Sequence, residues 1–311
     1  MHARSSFSRR GFLSRALLAA PFFASKPVWS VPPVARIKSP HLRLSMAIYS
    51  FRDFLTDHHT GQPGPQASSQ PMSIEALIDF CAVNGCDGIE LTSYYLPRDP
   101  STEYLAGLRK RAFVNGMTVS GSAVGNRFTL PRGKDRDAMV AGVKRWTDHT
   151  AALGGSHLRV FAGERGGMEL ADARRACVEC LEECCDYAGG KGVFLGLENH
   201  GGIVADADGL LEIVSAVKSP WLGVNLDTGN FHTVDPYADL VRCAPYAVNV
   251  QIKSEIQPKG KPKQLADLPR LVGILRDSGY RGFVALEYEA AEDPRTAVPR
   301  LLGEIRRLLT A

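Results

Sequence analysis

The sequence predicts an α/β protein with the fold of a (β/α)8 TIM barrel. Short apolar runs alternate eight times with segments of helical periodicity from about residue 42 onwards. Strict alternation of strands and helices implies a parallel sheet with right-handed crossovers, and eight such units in roughly 270 residues match a closed barrel. An open, doubly wound sheet is the alternative. It usually carries a glycine-rich phosphate loop after the first strand, and residues 50–54 (Ser-Phe-Arg-Asp-Phe) do not form one.

Each strand is predicted where a short run of mostly apolar residues ends at turn-forming or polar residues. The first strand leads into a polar loop, rich in Gly, Pro and Gln, that extends to residue 71. The predicted strands are 42–49, 87–92, 117–123, 157–162, 192–198, 222–227, 247–253 and 283–288.

Each helix is predicted where apolar residues recur with a period of about 3.6 residues. The third and fourth helices end at pairs of glycines, Gly154-Gly155 and Gly189-Gly190, which suit helix C-termini. The predicted helices are 73–84, 101–115, 135–153, 169–188, 208–217, 236–243, 265–278 and 295–309.

The N-terminus has the pattern of a twin-arginine signal peptide. Arg9-Arg10 is followed by Gly-Phe-Leu and by a short apolar run at 16–24, which is too short to form a stable membrane span. A chance arginine pair before a buried helix is the alternative. We therefore predict a signal peptide at 1–30, with cleavage near Ser30, a proline-rich linker at 31–41 and a barrel domain at 42–311. This organisation implies export to the periplasm by the twin-arginine pathway.

The net charge of +4 comes from the N-terminus. Residues 1–40 contain seven Lys or Arg and no acidic residue, which leaves 30 basic against 33 acidic residues in the remainder. A domain so weakly acidic has no electrostatic reason to bind nucleic acid or anionic lipid.

The seven cysteines favour a structural interpretation. Cys177, Cys180, Cys184 and Cys185 recur with helical spacing on one apolar stripe. No second Cys-x-x-Cys pair completes a zinc site. A buried core face is favoured over a disulfide or metal cluster.

Polar residues end four successive predicted strands late in the chain. Glu198, Asp227 and Glu287 each follow an apolar run, whereas Gln251 and Lys253 share one face of the seventh strand. In a parallel barrel these side chains converge, and carboxylate and amide oxygens favour a divalent cation. The alternatives are a structural ion pair at Glu198 and an Asx-turn or helix cap at Asp227. For the seventh strand, the alternative is that Gln251 packs against its neighbours and Lys253 extends its amine to solvent.

Three further residues are weaker candidates for substrate contacts. Glu90 ends the second strand and could contact a substrate hydroxyl or orient the site. His200 lies two residues beyond Glu198 and could contact substrate or support the residues that do, and Arg52 follows the first strand, where it could form one wall of a pocket.

These features together resemble the sugar phosphate isomerase/epimerase superfamily, whose fold is the xylose isomerase-like TIM barrel. The resemblance covers about residues 42–309. The motifs that carry it are Gly88-Ile-Glu90-Leu, Leu197-Glu-Asn-His200, Leu226-Asp-Thr-Gly-Asn230, Ile252-Lys253 and Leu286-Glu287.

The resemblance implies a single divalent metal, often manganese, held by Glu, Asp, His and Glu from strands five to eight. Here the matching residues are Glu198, Asp227, Gln251 and Glu287, so Gln stands where the family usually has His. Asn230 stands where ketose epimerases hold a substrate-binding His. The related abasic-site endonucleases are disfavoured, because their His-rich zinc site is missing at the end of strand three.

The leading functional hypothesis is metal-dependent isomerisation or epimerisation of a non-phosphorylated carbohydrate through an enediolate. Glu198 and Glu287 would exchange the proton, with Lys253 as a third catalytic group. Mn²⁺ is the favoured metal, with Mg²⁺, Co²⁺ or Zn²⁺ as alternatives. A lyase or hydratase acting on keto-glycosides, a non-catalytic periplasmic sugar-binding protein and a metal-free glycosidase remain open. The oligomeric state is also open, a homo-oligomer included.

Overall fold

The computed structural model of this chain describes residues 32–37 and 39–310. Within them, eight parallel strands close a barrel and alternate with eight helices, which confirms the predicted fold class. Consecutive strands pair with each other, and the last strand pairs with the first. The strands are β1 (His41–Ala47), β2 (Gly88–Thr92), β3 (Thr118–Ala123), β4 (His157–Val160), β5 (Phe194–Glu198), β6 (Leu222–Asp227), β7 (Ala247–Ile252) and β8 (Arg281–Leu286).

Most of the helices begin at side-chain caps that satisfy free backbone N–H groups. Ser73, Ser101 and Asp206, for example, accept hydrogen bonds from backbone N–H groups in the first turn of their helices. The helices are α1 (Ile74–Val83), α2 (Thr102–Val114), α3 (Lys134–Ala152), α4 (Leu170–Gly189), α5 (Ala207–Ala216), α6 (Pro236–Cys243), α7 (Leu268–Asp277) and α8 (Pro294–Thr310).

The boundaries differ from the predicted ones mainly near the C-terminal rim. Strand β8 ends at Leu286, two residues earlier than predicted. Helix α7 begins at Leu268 and not at residue 265, because Gln264–Leu265 pairs with Glu255–Ile256 in a short antiparallel ribbon. Such a two-residue ribbon has too few residues to give a periodic signal in the sequence.

Residues alternate along the strands between an apolar outer face and a polar inner face. In β6, Leu222, Val224 and Leu226 belong to the apolar core, whereas Asn225 and Asp227 are equally buried but polar. Alternate residues of a strand point to opposite faces of the sheet. The apolar core therefore lies between the barrel and its helices, and the barrel interior carries hydrogen-bonding groups.

The seven cysteines are all buried and free, which confirms the core-face interpretation. The proposed signal peptide at 1–30 lies outside the described residues, and so do residues 31, 38 and 311. Of the predicted linker, Val34 donates a backbone hydrogen bond to the Pro245 carbonyl (3.0 Å), and Arg36 lies over the Tyr280 ring at 5.2 Å. None of the helices in the described part of the chain combines the length and the apolar character needed to cross a membrane.

Candidate active site

Five residues predicted from the sequence lie at the C-terminal rim of the barrel. Glu198 and Asp227 are the last residues of β5 and β6. Gln251 is in β7, Lys253 follows that strand directly, and Glu287 directly follows β8. All five are buried, the most accessible being Lys253 at 7% exposure. Since these strands are neighbours, the side chains occupy one continuous arc of the rim.

Lys253 contacts three carboxylates. Its Nζ lies 3.0 Å from Glu287 Oε2 and 3.3 Å from Asp227 Oδ2, and it also donates a hydrogen bond to Glu289. Burial alone lowers the pKa of Lys253, but the three negative charges outweigh burial and raise it well above its ordinary value. The ammonium is therefore a permanent cation of the rim.

Glu198 is paired with a second buried cation, Arg159. Arg159 Nε lies 3.0 Å from Glu198 Oε2, and the two side chains are 5% and 4% exposed. The guanidinium also lies over the Phe161 ring at 3.9 Å, and Asn230 Nδ2 donates to Glu198 Oε1 at 2.9 Å. Burial raises the pKa of Glu198 above its ordinary value and Glu287 adds to the shift, although Arg159 opposes it.

Sequence reasoning did not single out Arg159 or Glu289. Arg159 lies between the apolar residues Leu158 and Val160 in the four-residue strand β4. Alternation along the strand places Arg159 on the opposite face from its two neighbours, and this was the signal in the sequence. The sequence showed that Glu289 shares a face with Glu287, but only the folded chain shows that it reaches Lys253.

A closed hydrogen-bond network connects the rim to the inside of the barrel. Glu90 accepts bonds from Gln251 Nε2 and Asn249 Nδ2, both at 2.7 Å. Asn225 accepts from Asn249 at 2.8 Å and donates to Gln251 Oε1 at 2.7 Å. Burial is the main cause that raises the pKa of Glu90 to about 7. These contacts fix the orientation of the Gln251 amide.

The residues predicted to contact substrate lie in three different settings. Glu90 is fully buried with both oxygens engaged in the network, so this arrangement gives it a positioning role and does not support direct substrate contact. Asn230 and Lys253 line a cavity of about 180 Å³, together with Glu289. Arg52 lines an adjoining cavity of about 630 Å³ that also includes Glu289. His200 is exposed, with its ring 4.6 Å from that of Phe161.

The charges of the rim side chains suit a divalent cation, but in this structure the side chains are not arranged around one. Glu198 Oε2 and Asp227 Oδ2 are buried and face the cations of Arg159 and Lys253 at 3.0 and 3.3 Å, but no described residue donates a well-aligned hydrogen bond to either oxygen. Burial raises the pKa of Asp227, and repulsion from Glu198 and Glu287 adds to it against the effect of Lys253. Within the described ranges, however, no three His, Cys, Asp or Glu side chains are arranged to hold a metal ion. Lys253 Nζ lies between Asp227 and Glu287 instead.

Three carboxylates therefore match a divalent cation in charge and ligand chemistry, namely Glu198, Asp227 and Glu287. Gln251 is bound within the network through both ends of its amide. Its role as a fourth ligand stays a prediction.

The arrangement suits proton transfer beside a cationic group. Glu198 and Glu287 follow strands that lie three apart around the eight-strand ring, so they approach the rim from well-separated directions. The buried carboxyl of Glu198, whose pKa is raised, is a suitable general base or acid near neutral pH. Lys253, beside the 180 Å³ cavity, can stabilise negative charge on an oxygen bound there.

Solved structures with the same fold include several sugar epimerases. The chain resembles a D-psicose 3-epimerase with D-tagatose from Clostridium cellulolyticum H10 at 16% identity and a TM-score of 0.67, covering 86% of this chain and 99% of that one. A 3-keto-D-glucoside 4-epimerase, YcjR, from E. coli matches at 16% identity and a TM-score of 0.61, with 86% and 99% coverage. The IOLI protein with a bound zinc atom matches at 18% identity and a TM-score of 0.65, with 86% and 96% coverage.

At these identities the structural likeness shows the fold alone. Among curated proteins, none matches this chain significantly in sequence. The profile of one protein family matches residues 78–308, which is most of the chain and includes every rim carboxylate described above. The chain belongs to the xylose isomerase-like TIM barrel family.

Proposed function

We propose that this protein is a sugar isomerase or epimerase that acts on a non-phosphorylated carbohydrate by abstracting a proton next to a carbonyl group. The observation that carries the proposal is the pair of buried carboxylates, Glu198 beside Arg159 and Glu287 beside Lys253. Several structural neighbours are sugar epimerases, which agrees with this reaction class. The predicted export and the lack of a glycine-rich phosphate loop after the first strand favour a non-phosphorylated sugar.

Glu198 and Glu287 divide the proton transfer between them. One carboxylate removes the proton α to the carbonyl, and the other returns a proton from its own side of the sugar. If a proton is added to the opposite face of the same carbon, the product is an epimer. If it is added to the neighbouring carbon, the product is an isomer. Lys253 stabilises the enediolate oxygen, and Asn230 orients Glu198 through its hydrogen bond.

A divalent cation is part of this proposal, with Mn²⁺ as the favoured ion and Mg²⁺, Co²⁺ or Zn²⁺ as alternatives. Glu198, Asp227 and Glu287 would hold it. When bound, it would polarise the substrate carbonyl. The bound zinc of the IOLI protein supports a metal in this fold family. The twin-arginine motif supports export, so we place the reaction in the periplasm.

Exchange of substrate hydrogen with solvent tests the reaction. The protein is incubated with MnCl₂ in D₂O with a panel of aldoses, ketoses and 3-keto-glycosides, and deuterium at carbon is followed by NMR. We expect incorporation at the carbon next to the carbonyl in at least one sugar. A lyase would instead release the aglycone of a keto-glycoside, which the same spectra detect.

Matched variants connect the exchange to the site. Glu198→Gln and Glu287→Gln should each lower the exchange rate at least about 100-fold, the usual contribution of a general acid or base. Glu212→Gln is the control, since its side chain is 58% exposed and pairs with Arg174 away from the rim. Absence of exchange with every sugar, with and without metal, would overturn the proposal.

A further inference from the structure

Lys253 occupies a position that a divalent cation also needs. Its ammonium contacts Asp227 and Glu287, which are two of the three carboxylates that would hold the metal. Two cations cannot share these oxygens at hydrogen-bonding distance without strong repulsion. Binding of a divalent cation therefore requires the ammonium to move.

The stem of Lys253 is built into the site. The Thr228 hydroxyl accepts a hydrogen bond from the Lys253 backbone N–H at 2.9 Å, which anchors the base of the side chain. A Cβ on Gly229 would lie 2.7 Å from Lys253 Cγ and 3.0 Å from its Cβ, so glycine leaves the space that the lysine stem fills. The backbone and the stem are fixed, and the freedom that remains is at the ammonium end.

The three carboxylates around Lys253 differ in their exposure to solvent. The side chain of Asp227 is 0% exposed, that of Glu287 is 8% exposed and that of Glu289 is 37% exposed. Glu289 and Lys253 both line the 180 Å³ cavity. The ammonium thus has a partner toward solvent that is not among the three carboxylates assigned to the metal.

We propose that Lys253 is a tethered counter-ion that competes with the divalent cation for Asp227 and Glu287 and keeps only its contact with Glu289 when the cation binds. This inference rests on the proposed function, since it concerns the same site. Without metal, the lysine holds the carboxylates in place and limits their repulsion. With metal, its ammonium lies at Glu289 beside the cavity, where it can contact a substrate oxygen.

Metal affinity in the absence of substrate tests the competition. Protein stripped with EDTA and dialysed is titrated with MnCl₂ by calorimetry, and the melting temperature is measured in parallel. Lys253→Met should bind Mn²⁺ at least about tenfold more tightly than the wild type, because a competing charge is removed. Its metal-free form should melt at a lower temperature, because the rim carboxylates then lack their counter-ion.

Two further variants separate competition from a general charge effect. Glu289→Gln should weaken Mn²⁺ binding about threefold or more, because the displaced ammonium loses its partner. This variant keeps the proposal testable if Lys253→Met fails to fold, since Glu289 is partly exposed. Lys263→Met is the matched control. Lys263 is 54% exposed and pairs with Glu255 at 3.5 Å in the same region, so its removal should change the affinity less than twofold.

Unchanged or weaker Mn²⁺ binding in Lys253→Met would overturn the inference, and so would unchanged binding in Glu289→Gln. The absence of Mn²⁺ binding in all variants would also overturn it. These outcomes can be told apart from a failure of the proposed reaction, because hydrogen exchange in a sugar can occur whether or not Lys253 competes with the metal. Conversely, the expected order of affinities would stand even if no sugar in the panel reacted.

Discussion

Replacing Arg159 with methionine removes the cation that lies 3.0 Å from Glu198. The two side chains are 5% and 4% exposed, so water cannot take over the role of the guanidinium. Breaking a buried ion pair by removing one partner costs about 3–5 kcal/mol, because the remaining charge is left without compensation. Methionine retains an apolar stem that can pack on Phe161, so the loss reports mainly on charge.

Urea unfolding in EDTA at pH 7.5, followed by circular dichroism, measures this cost. We expect Arg159→Met to lose about 3–5 kcal/mol. Protonation of Glu198 relieves the unpaired charge, so the loss should be smaller at pH 5.5. The double variant Arg159→Met/Glu198→Gln should be more stable than Arg159→Met alone, because no buried charge is then left unpaired.

Arg111→Met provides the matched control. Arg111 pairs with Asp79 at the surface, with side chains 43% and 44% exposed, and exposed pairs contribute at most about 1 kcal/mol. The reasoning about Arg159 is refuted if its replacement costs no more than that of Arg111. It is equally refuted if the double variant loses the sum of the two single losses.

Two other predictions concern pH and packing inside the barrel. Glu90 keeps its proton up to about pH 7 in the folded state, whereas an unfolded chain releases it near pH 4. The free energy of unfolding of the metal-free protein should therefore fall between pH 5 and 7, by about 1 kcal/mol per pH unit for each such carboxyl. Urea titrations that show a flat or rising trend would contradict this. Gly196→Ala places a Cβ 2.3 Å from His157 Nε2 and should lower the free energy of unfolding by about 1–3 kcal/mol. Gly273→Ala in α7, where a Cβ would have no atom within 4 Å, should raise it by up to about 1 kcal/mol. Equal melting temperatures for the two variants would disprove the packing argument.

The fold could be predicted from the sequence because its signals are local. Eight apolar runs separated by helical periodicity define the order of elements, and that order alone determines which strand ends meet. The rim positions of Glu198, Asp227 and Glu287 follow directly, since each closes or follows a strand. The short ribbon between Glu255–Ile256 and Gln264–Leu265 could not be predicted, because its pairing depends on the geometry of the rim.

The partners of the rim residues could not be predicted, because they depend on side-chain directions in three dimensions. The place of Glu90 at a strand end left both a substrate contact and an orienting role open. Only the folded chain shows that it accepts bonds from residues of β7 that are about 160 positions away in the chain. Lys253 looked equally suited to solvent or to substrate. Only the folded chain shows three carboxylates around its ammonium.

The polar network inside the barrel affects how freely this site can change. In many TIM barrels the interior is packed with apolar residues and chemistry is altered by exchanging loops. Here Glu90 of β2 is hydrogen-bonded across the lumen to Asn249 and Gln251 of β7. Transplanting the rim loops onto another barrel would leave that support behind. The candidate active site therefore depends on loops and lumen together, and substitutions at exposed positions such as His200 should be tolerated more readily than substitutions of the carboxylates themselves.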